Sequence, residues 1–136
     1  MPSGSDVTPA PDDAVVLATA RAARAHAYAP YSAFAVGAAL VCDDGSMVVA
    51  CNVENASYGL SMCAERAAVF AAVAAGHRRF TTLAVAGPDG ELTPPCGACR
   101  QVLAEFGAEL RVLYTNADGF EETTVGALLP AAFTLP

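Results

Sequence analysis

The sequence predicts an α/β fold, a mixed sheet of five strands covered by helices. Apolar runs of strand length are joined by hairpin-type turns at both ends of the strand series, at Asp43-Asp44-Gly45 and at Asn116-Ala117-Asp118-Gly119, and Asp-Gly favours the tight turn of an antiparallel pair. Between these hairpins lie longer alanine-rich segments of helical character, the pattern of a mixed sheet with helices packed on it. The chain has 136 residues, 54% of them hydrophobic, which is the size of one ordinary domain with a buried core.

Residues 1–11 contain three prolines together with Ser, Gly and Asp and read as a disordered tail, leaving 12–136 as one domain. Asp12 or Asp13 caps a helix to about residue 27, built on Val15, Val16, Leu17 and alanines. Pro30 disfavours helix at Ala29 and ends it. A buried strand follows over 34–41, a turn over 42–46 and a returning strand over 47–53, then a loop over 54–62. Cys63 opens a second helix, which stops near Gly76. A third strand covers 81–86, and Thr93-Pro94-Pro95 leads into a third helix over 97–106, ended by Gly107. A fourth strand over 110–114, a fifth over 120–124 and a closing turn at 127–129 before Pro130 complete the chain. No internal repeat is visible.

Charge narrows the function classes. Fourteen acidic residues against seven basic ones, all arginine, give a formal charge of −7. Nucleic-acid grooves and polybasic membrane patches need the opposite sign. The first thirteen residues lack the basic start and apolar core of a secretory signal, and no apolar run is long enough to span a bilayer, so a cytoplasmic location is expected. Much of the apolar content is alanine, and the remainder suggests apolar surface buried between subunits. Of five cysteines, Cys42 and Cys51 fall in strands and read as buried thiols. His26 and His77 read as surface residues at helix ends, remote in sequence from the remaining cysteines.

Those remaining cysteines carry the chemistry. Cys63-Ala64-Glu65-Arg66 and Pro95-Cys96-Gly97-Ala98-Cys99 each precede a helical run. A helix N-terminus presents free N–H groups and partial positive charge, which favour thiolate over thiol, and only the thiolate binds metal. Cys63, Cys96 and Cys99 are three ligands for one zinc ion, and three protein ligands leave the fourth tetrahedral position to water, as in a catalytic site. A structural four-cysteine site would need a fourth ligand, usually from a second Cys-x-x-Cys pair that this chain lacks. Glu65 stands two residues from a ligand and is the candidate proton carrier, although a carboxylate in a first helical turn can also simply favour the helix dipole. Three thiolates make a zinc centre of net −1, which a cation on sulfur would offset. Arg66 is the first choice for that cation and Arg100 the second.

A ligand-x-Glu followed by Pro-Cys-x-x-Cys is the pattern of zinc nucleobase deaminases. Tyr31-Ser32-Ala33-Phe34-Ala35-Val36-Gly37, the Asn52-Val53-Glu54-Asn55-Ala56-Ser57-Tyr58-Gly59-Leu60 run, Pro95–Gln101 and Leu128–Phe133 occur in an order that resembles the small cytidine deaminases of pyrimidine salvage. The resemblance implies a three-layer α/β/α sandwich with five strands, the last two antiparallel. It also implies zinc-dependent conversion of cytidine and deoxycytidine to uridine and deoxyuridine, with one zinc per subunit and a homotetramer. It assigns Phe34 to the pyrimidine face, Asn52 and Glu54 to the sugar hydroxyls, and the Ala64 N–H and Pro95 carbonyl to the base O2 and amine. Tyr58 and Phe133 match positions that reach a neighbouring subunit's site. Composition alone would make Phe34 a core residue and Asn52 a turn residue. The tail ends three residues after Phe133, shorter than the family's usual tail. The alternatives are a deaminase of a modified nucleoside, such as the blasticidin S deaminases, and an inactive zinc-bearing assembly module.

Overall fold

The computed structural model describes residues 9–136. Most of the tail expected over 1–11 therefore lies outside the described residues, and 9–12 carry no helix or strand. Helix α1 (Asp13–Ala23) leads through a 3-10 turn (Arg24–His26) to strands β1 (Gly37–Cys42) and β2 (Met47–Cys51). Helix α2 (Ala64–Ala74), strand β3 (Phe80–Ala86), helix α3 (Gly97–Ala104), strands β4 (Arg111–Asn116) and β5 (Gly119–Thr124) and a four-residue helix α4 (Val125–Leu128) follow. The five strands form one sheet in the order β2-β1-β3-β4-β5. β3 and β4 are parallel; every other neighbouring pair, β4 with β5 included, is antiparallel.

Period-2 alternation along the inner strands divides the core into two layers. Ala39 and Val41 of β1, Ala84 and Ala86 of β3 and Leu113 of β4 meet Val16, Leu17 and Ala20 of α1 on one face. Ala38, Leu40, Leu83, Val85 and Val112 point the other way, against Ala64, Ala68, Val69 and Ala72 of α2 and Leu103 of α3. This is the three-layer α/β/α sandwich. Alanine serves it in a specific way, because the small side chains Ala20, Ala38, Ala39, Ala64 and Ala68, all 0% exposed, let helix backbones lie close to the sheet. The closest approach is at Gly37, where a Cβ would stand 2.0 Å from the Ala20 carbonyl oxygen of α1.

The elements differ from expectation mainly at their ends. The first strand begins at Gly37, not at residue 34, because Ala33 takes a left-handed backbone (φ 60°) and the next residues pair with a side chain. The Val36 N–H donates to Asn52 Oδ1 (2.9 Å), and Asn52 Nδ2 donates to the Phe34 carbonyl (2.8 Å). The returning strand stops at Cys51, leaving Val53 in isolated bridges to Tyr28 and Met62. The first helix turns 3-10 after Ala23, seven residues before Pro30. The third helix ends at Ala104 as its chain tightens into Phe106 N–H to Leu103 and Gly107 N–H to Ala104 bonds, with Gly107 at φ 124°. The expected closing turn is helix α4, capped by Thr124, whose hydroxyl accepts from the Ala127 N–H (3.2 Å).

Gly37→Ala tests the seating of α1. With its Cβ directed at fixed helix backbone, the variant should lose at least about 2 kcal/mol of unfolding free energy, within the usual cost of overpacking a core. Urea unfolding should show a lower midpoint with an unchanged slope. A wild-type midpoint would mean that α1 lies further from β1.

Candidate active site

Both cysteine motifs lie where the sequence places them, at helix starts, and the fold makes those starts face each other. α2 and α3 pack on the same face of the sheet. Cys63 occupies the N-cap position of α2 and Cys96 that of α3, while Cys99 is the third residue of α3. None of the three sulfurs caps its own helix, so all remain free for another partner. Cys63 Sγ stands 3.9 Å from Cys96 Sγ, Cys96 Sγ stands 3.5 Å from Cys99 Sγ, and all three lie within 4.8 Å of one another. Thiolates bound to one zinc at about 2.3 Å in a tetrahedron stand about 3.8 Å apart. The donor set and its spacing therefore fit zinc.

The electrostatics around the sulfurs are uneven. Arg66 Nη2 donates to Cys63 Sγ at 3.4 Å. The Cys63 thiol is drawn down to about 5, chiefly by the Cys99 hydrogen bond and then by Arg66, against the opposing effect of burial. Cys99 is pushed up by the same hydrogen bond and by burial. One thiol of the cluster is thus ready to ionise, and it is the one beside a guanidinium. Arg100, the second choice for a cation on sulfur, goes elsewhere. Its Nε donates to the Pro95 carbonyl (2.8 Å) and its Nη1 to the Leu128 carbonyl (3.1 Å), tying the Cys96 loop to α4.

Glu65 is the second residue of α2 and is only 5% exposed. Burial pushes its carboxyl up to about 7, and the Cys63 sulfur adds to the rise, against the pull of its own backbone N–H, Cys99 and Arg66. A helix-dipole role alone would leave such a carboxylate on the surface. Instead Glu65 lines a cavity of about 240 Å³ with Cys63, Ala64 and Cys96 on the metal side and Phe34, Asn52 and Glu54 opposite. The cavity continues into an outer hollow of about 460 Å³ between Tyr31, Ser32, Glu54, Tyr58 and Ser61.

The wall opposite the sulfurs is a hydrogen-bonded unit. Glu54 Oε1 accepts from the backbone N–H groups of Tyr31 (2.9 Å) and Ser32 (3.1 Å), Oε2 accepts from the Ser32 hydroxyl, and Ser32 Oγ accepts from the Phe34 N–H (2.9 Å). These donors hold the Glu54 carboxyl below its ordinary range, the Ser32 hydroxyl foremost. Left-handed Ala33 lies inside this loop, and such a residue persists where its surroundings over-determine it. Phe34, 36% exposed, is consequently a pocket residue and not a core one.

Three expected residues, Pro95, Phe133 and Tyr58, are not part of the cavity lining. The Pro95 carbonyl is engaged by Arg100, with one lone pair left, and Pro94 forms the wall beside it. Phe133 is 71% exposed and held on α3 through its carbonyl, which accepts from Gln101 Nε2 (3.0 Å). Tyr58 is 76% exposed on the outer hollow, its ring edge-on to Tyr31 at 6.3 Å. Ser32, Val36 and Thr93 also line the cavity and were not singled out from the sequence. Ser32 and Thr93 each stand two residues from a chosen residue, Phe34 and Pro95, and their hydroxyls close local turns, a signal that many surface residues share.

Comparison with known proteins agrees with this geometry. Residues 11–115 match the family model for the cytidine and deoxycytidylate deaminase zinc-binding region. A cytidine deaminase of Sporosarcina psychrophila is 50% identical over 121 residues, 88% of this chain and 89% of that protein. The crystal structure of cytidine deaminase from Burkholderia pseudomallei superposes with a TM-score of 0.86 at 51% identity, covering 90% of this chain and all of the other. A blasticidin-S deaminase of Bacillus cereus is more distant, 29% identical over 107 residues, 73% of this chain and 76% of that protein. Three sulfurs at zinc spacing, a buried glutamate beside them and a half-open cavity thus belong to a zinc-binding hydrolase domain, and the chain is a member of the cytidine and deoxycytidylate deaminase family.

Proposed function

We infer that the protein deaminates cytidine and deoxycytidine to uridine and deoxyuridine with release of ammonia, in pyrimidine salvage in the cytoplasm, using one zinc per chain and the catalytic domain 12–136. The observation that carries this reading is the juxtaposition of three zinc-spaced sulfurs with buried Glu65 in one cavity. Cys63, Cys96 and Cys99 would hold the zinc, which when bound would supply a water acidic enough to react near neutral pH. Arg66, on Cys63 Sγ, offsets the surplus negative charge of three thiolates. The Glu65 carboxylate would take the water's two protons in turn, passing the first to the ring nitrogen and the second to the departing amine, as the water's oxygen replaces that amine on the ring carbon. A carboxyl near pH 7 is matched to both halves of that transfer.

Orientation falls to the opposite wall. Phe34 packs on the pyrimidine face. Asn52 and Glu54 read the sugar hydroxyls with the capacity left over from the loop: each amide and carboxylate oxygen accepts two hydrogen bonds, and the amide nitrogen donates two. The Ala64 N–H, at the first position of α2, lacks an intrahelical acceptor and takes the base O2. The second lone pair of the Pro95 carbonyl takes the amine. No residue lining either hollow is basic, which favours an uncharged nucleoside over a nucleotide. Among the described residues no helix is long and apolar enough to cross a membrane.

A homotetramer with shared sites accounts for the exposed aromatic surface. Tyr58 and Phe133 face outward, and Phe70, 48% exposed, borders an apolar groove with Val73, Val102 and Phe106 on the outer side of α2 and α3. Burying these residues between copies also closes the outer hollow, with Tyr58 and Phe133 completing a neighbour's site.

Loss of the cytidine absorbance band tests the substrate reading: cytidine and deoxycytidine should be consumed, and CMP at least about tenfold more slowly, since each missing charge-assisted contact is worth about 1.5–3 kcal/mol. Equal rates for CMP and cytidine would count against it.

Metal and proton roles separate in two variants. Cys99→Ala should lose zinc and activity together. Glu65→Gln should keep about one zinc per chain while turnover falls by roughly 10²–10⁴-fold, the usual effect of removing a general acid/base. Near-normal turnover in Glu65→Gln would leave the inactive assembly module as the better description.

For assembly, sedimentation of the purified protein should give four chains per particle. A fully active monomer would remove Tyr58 and Phe133 from the site.

A further inference from the structure

The opposite pole of the molecule carries a second constellation of metal-ligand type. Cys42 closes β1, Asp44 sits in the β1–β2 turn, and His77 follows α2; one donor atom of each lies within 4.8 Å of the others. Sequence separation hides this set, since Cys42 reads as a strand thiol and His77 as a helix-end residue. The two segments are joined by a backbone bond from the Asp43 N–H to the Arg79 carbonyl (3.1 Å).

Each donor is held by its own backbone lock. The Cys42 N–H donates to the Ser46 carbonyl (2.8 Å), and the Gly45 N–H returns a bond to the Cys42 carbonyl (3.0 Å), with Gly45 at φ 86°. Asp44 Oδ1 accepts from the Ser46 N–H (3.0 Å) and hydroxyl (2.6 Å), which fixes the side chain. His77 is placed by the stop of α2: its N–H reaches the Ala72 carbonyl (2.9 Å) and the Gly76 N–H reaches Val73 (3.0 Å), with Gly76 at φ 98°. That pair of bonds is a Schellman motif. Arg78 Nη1 clamps the Val73 and His77 carbonyls at 2.9 and 3.0 Å.

We propose that Cys42, Asp44 and His77 form a second, surface site for a late first-row divalent cation such as zinc. A sulfur, an imidazole nitrogen and a carboxylate oxygen are the donors zinc takes, and three of them leave one position to water. Calcium and magnesium prefer six or more oxygens and do not suit this set. Cys42 is 1% exposed and forms the fixed floor. Asp44 stays held by Ser46 and His77 is half-buried, so turning of the His77 ring brings its donor in from within 4.8 Å toward the other two. Asp43, next to Asp44 in the turn, adds a negative charge that favours a cation, while the carbonyl end of α2 is already capped by Arg78. The site lies at the far end of the eleven-residue α2 from Cys63, about 16 Å along the helix. It stands apart from the catalytic cluster and is independent of the substrate reading.

Holoprotein with its three-cysteine site filled would be dialysed against increasing free zinc, with metal counted per chain. The wild type should take up a second equivalent. Cys42→Ser and His77→Ala should each weaken that uptake at least tenfold while keeping the first equivalent, which also reports that the variants remain folded. In parallel, cobalt added to zinc-loaded protein should give a thiolate-to-cobalt absorption band that is absent in Cys42→Ser, with zinc release measured to exclude exchange at the first site. Uptake that stops at one equivalent in the wild type overturns the proposal. So does a second equivalent that persists undiminished in either variant.

Discussion

Three sulfurs must meet at one point, and the molecule is arranged around that requirement. Cys63 and Cys96 can approach to 3.9 Å only because α2 and α3 lie on the same face of the sheet with their N-termini at the same end. The alanines under α2, above all Ala64, Ala68 and Ala72, each fully buried, bring that helix close to the strands. Larger residues there would lift its N-terminus and with it Cys63 and Glu65. A high alanine content thus serves site geometry as much as helix propensity.

The same closeness explains the charge state of the site. A carboxyl beside a sulfur cluster that is itself acquiring negative charge is destabilised as an anion twice, by lost solvation and by repulsion. Glu65 accordingly moves toward neutral pH, whereas Glu54, facing three donors across the cavity, moves the other way. Two glutamates eleven residues apart are therefore suited to different work: Glu65 to exchanging a proton near neutral pH, and Glu54 to staying ionised while it holds a loop. Arg66 adds to the Cys99 hydrogen bond in favouring the Cys63 thiolate, since its guanidinium donates to that sulfur.

The sheet, its hairpins and the helix starts were legible in the sequence because each rests on local chemistry: Asp-Gly turns, a glycine stop at Gly76, proline before α3. The three-sulfur cluster was legible because its spacing is set within two short segments. Element ends were less so. Nothing local reveals that Asn52 would substitute its side chain for strand pairing and leave 34–36 outside β1, since that depends on a contact between residues sixteen apart. Ser32 and Thr93 escaped notice because their hydroxyls close local turns like those of many surface residues, and Arg100 differed from Arg66 only through what the fold placed within reach: a carbonyl for one, a sulfur for the other.

The cavity is complete on the metal side and open on the other. Glu65, Ala64 and Pro95 are buried, which shields that side of the cavity from bulk solvent. Tyr58, Leu60 and Phe133 are each at least 70% exposed, which is costly for side chains of that size if they stay in water. A monomer would leave that apolar surface beside an open hollow and pay twice, in stability and in a wet substrate site. Association of copies through these residues, as proposed, would remove both costs at once, giving the exposed rim and the half-open cavity one physical remedy.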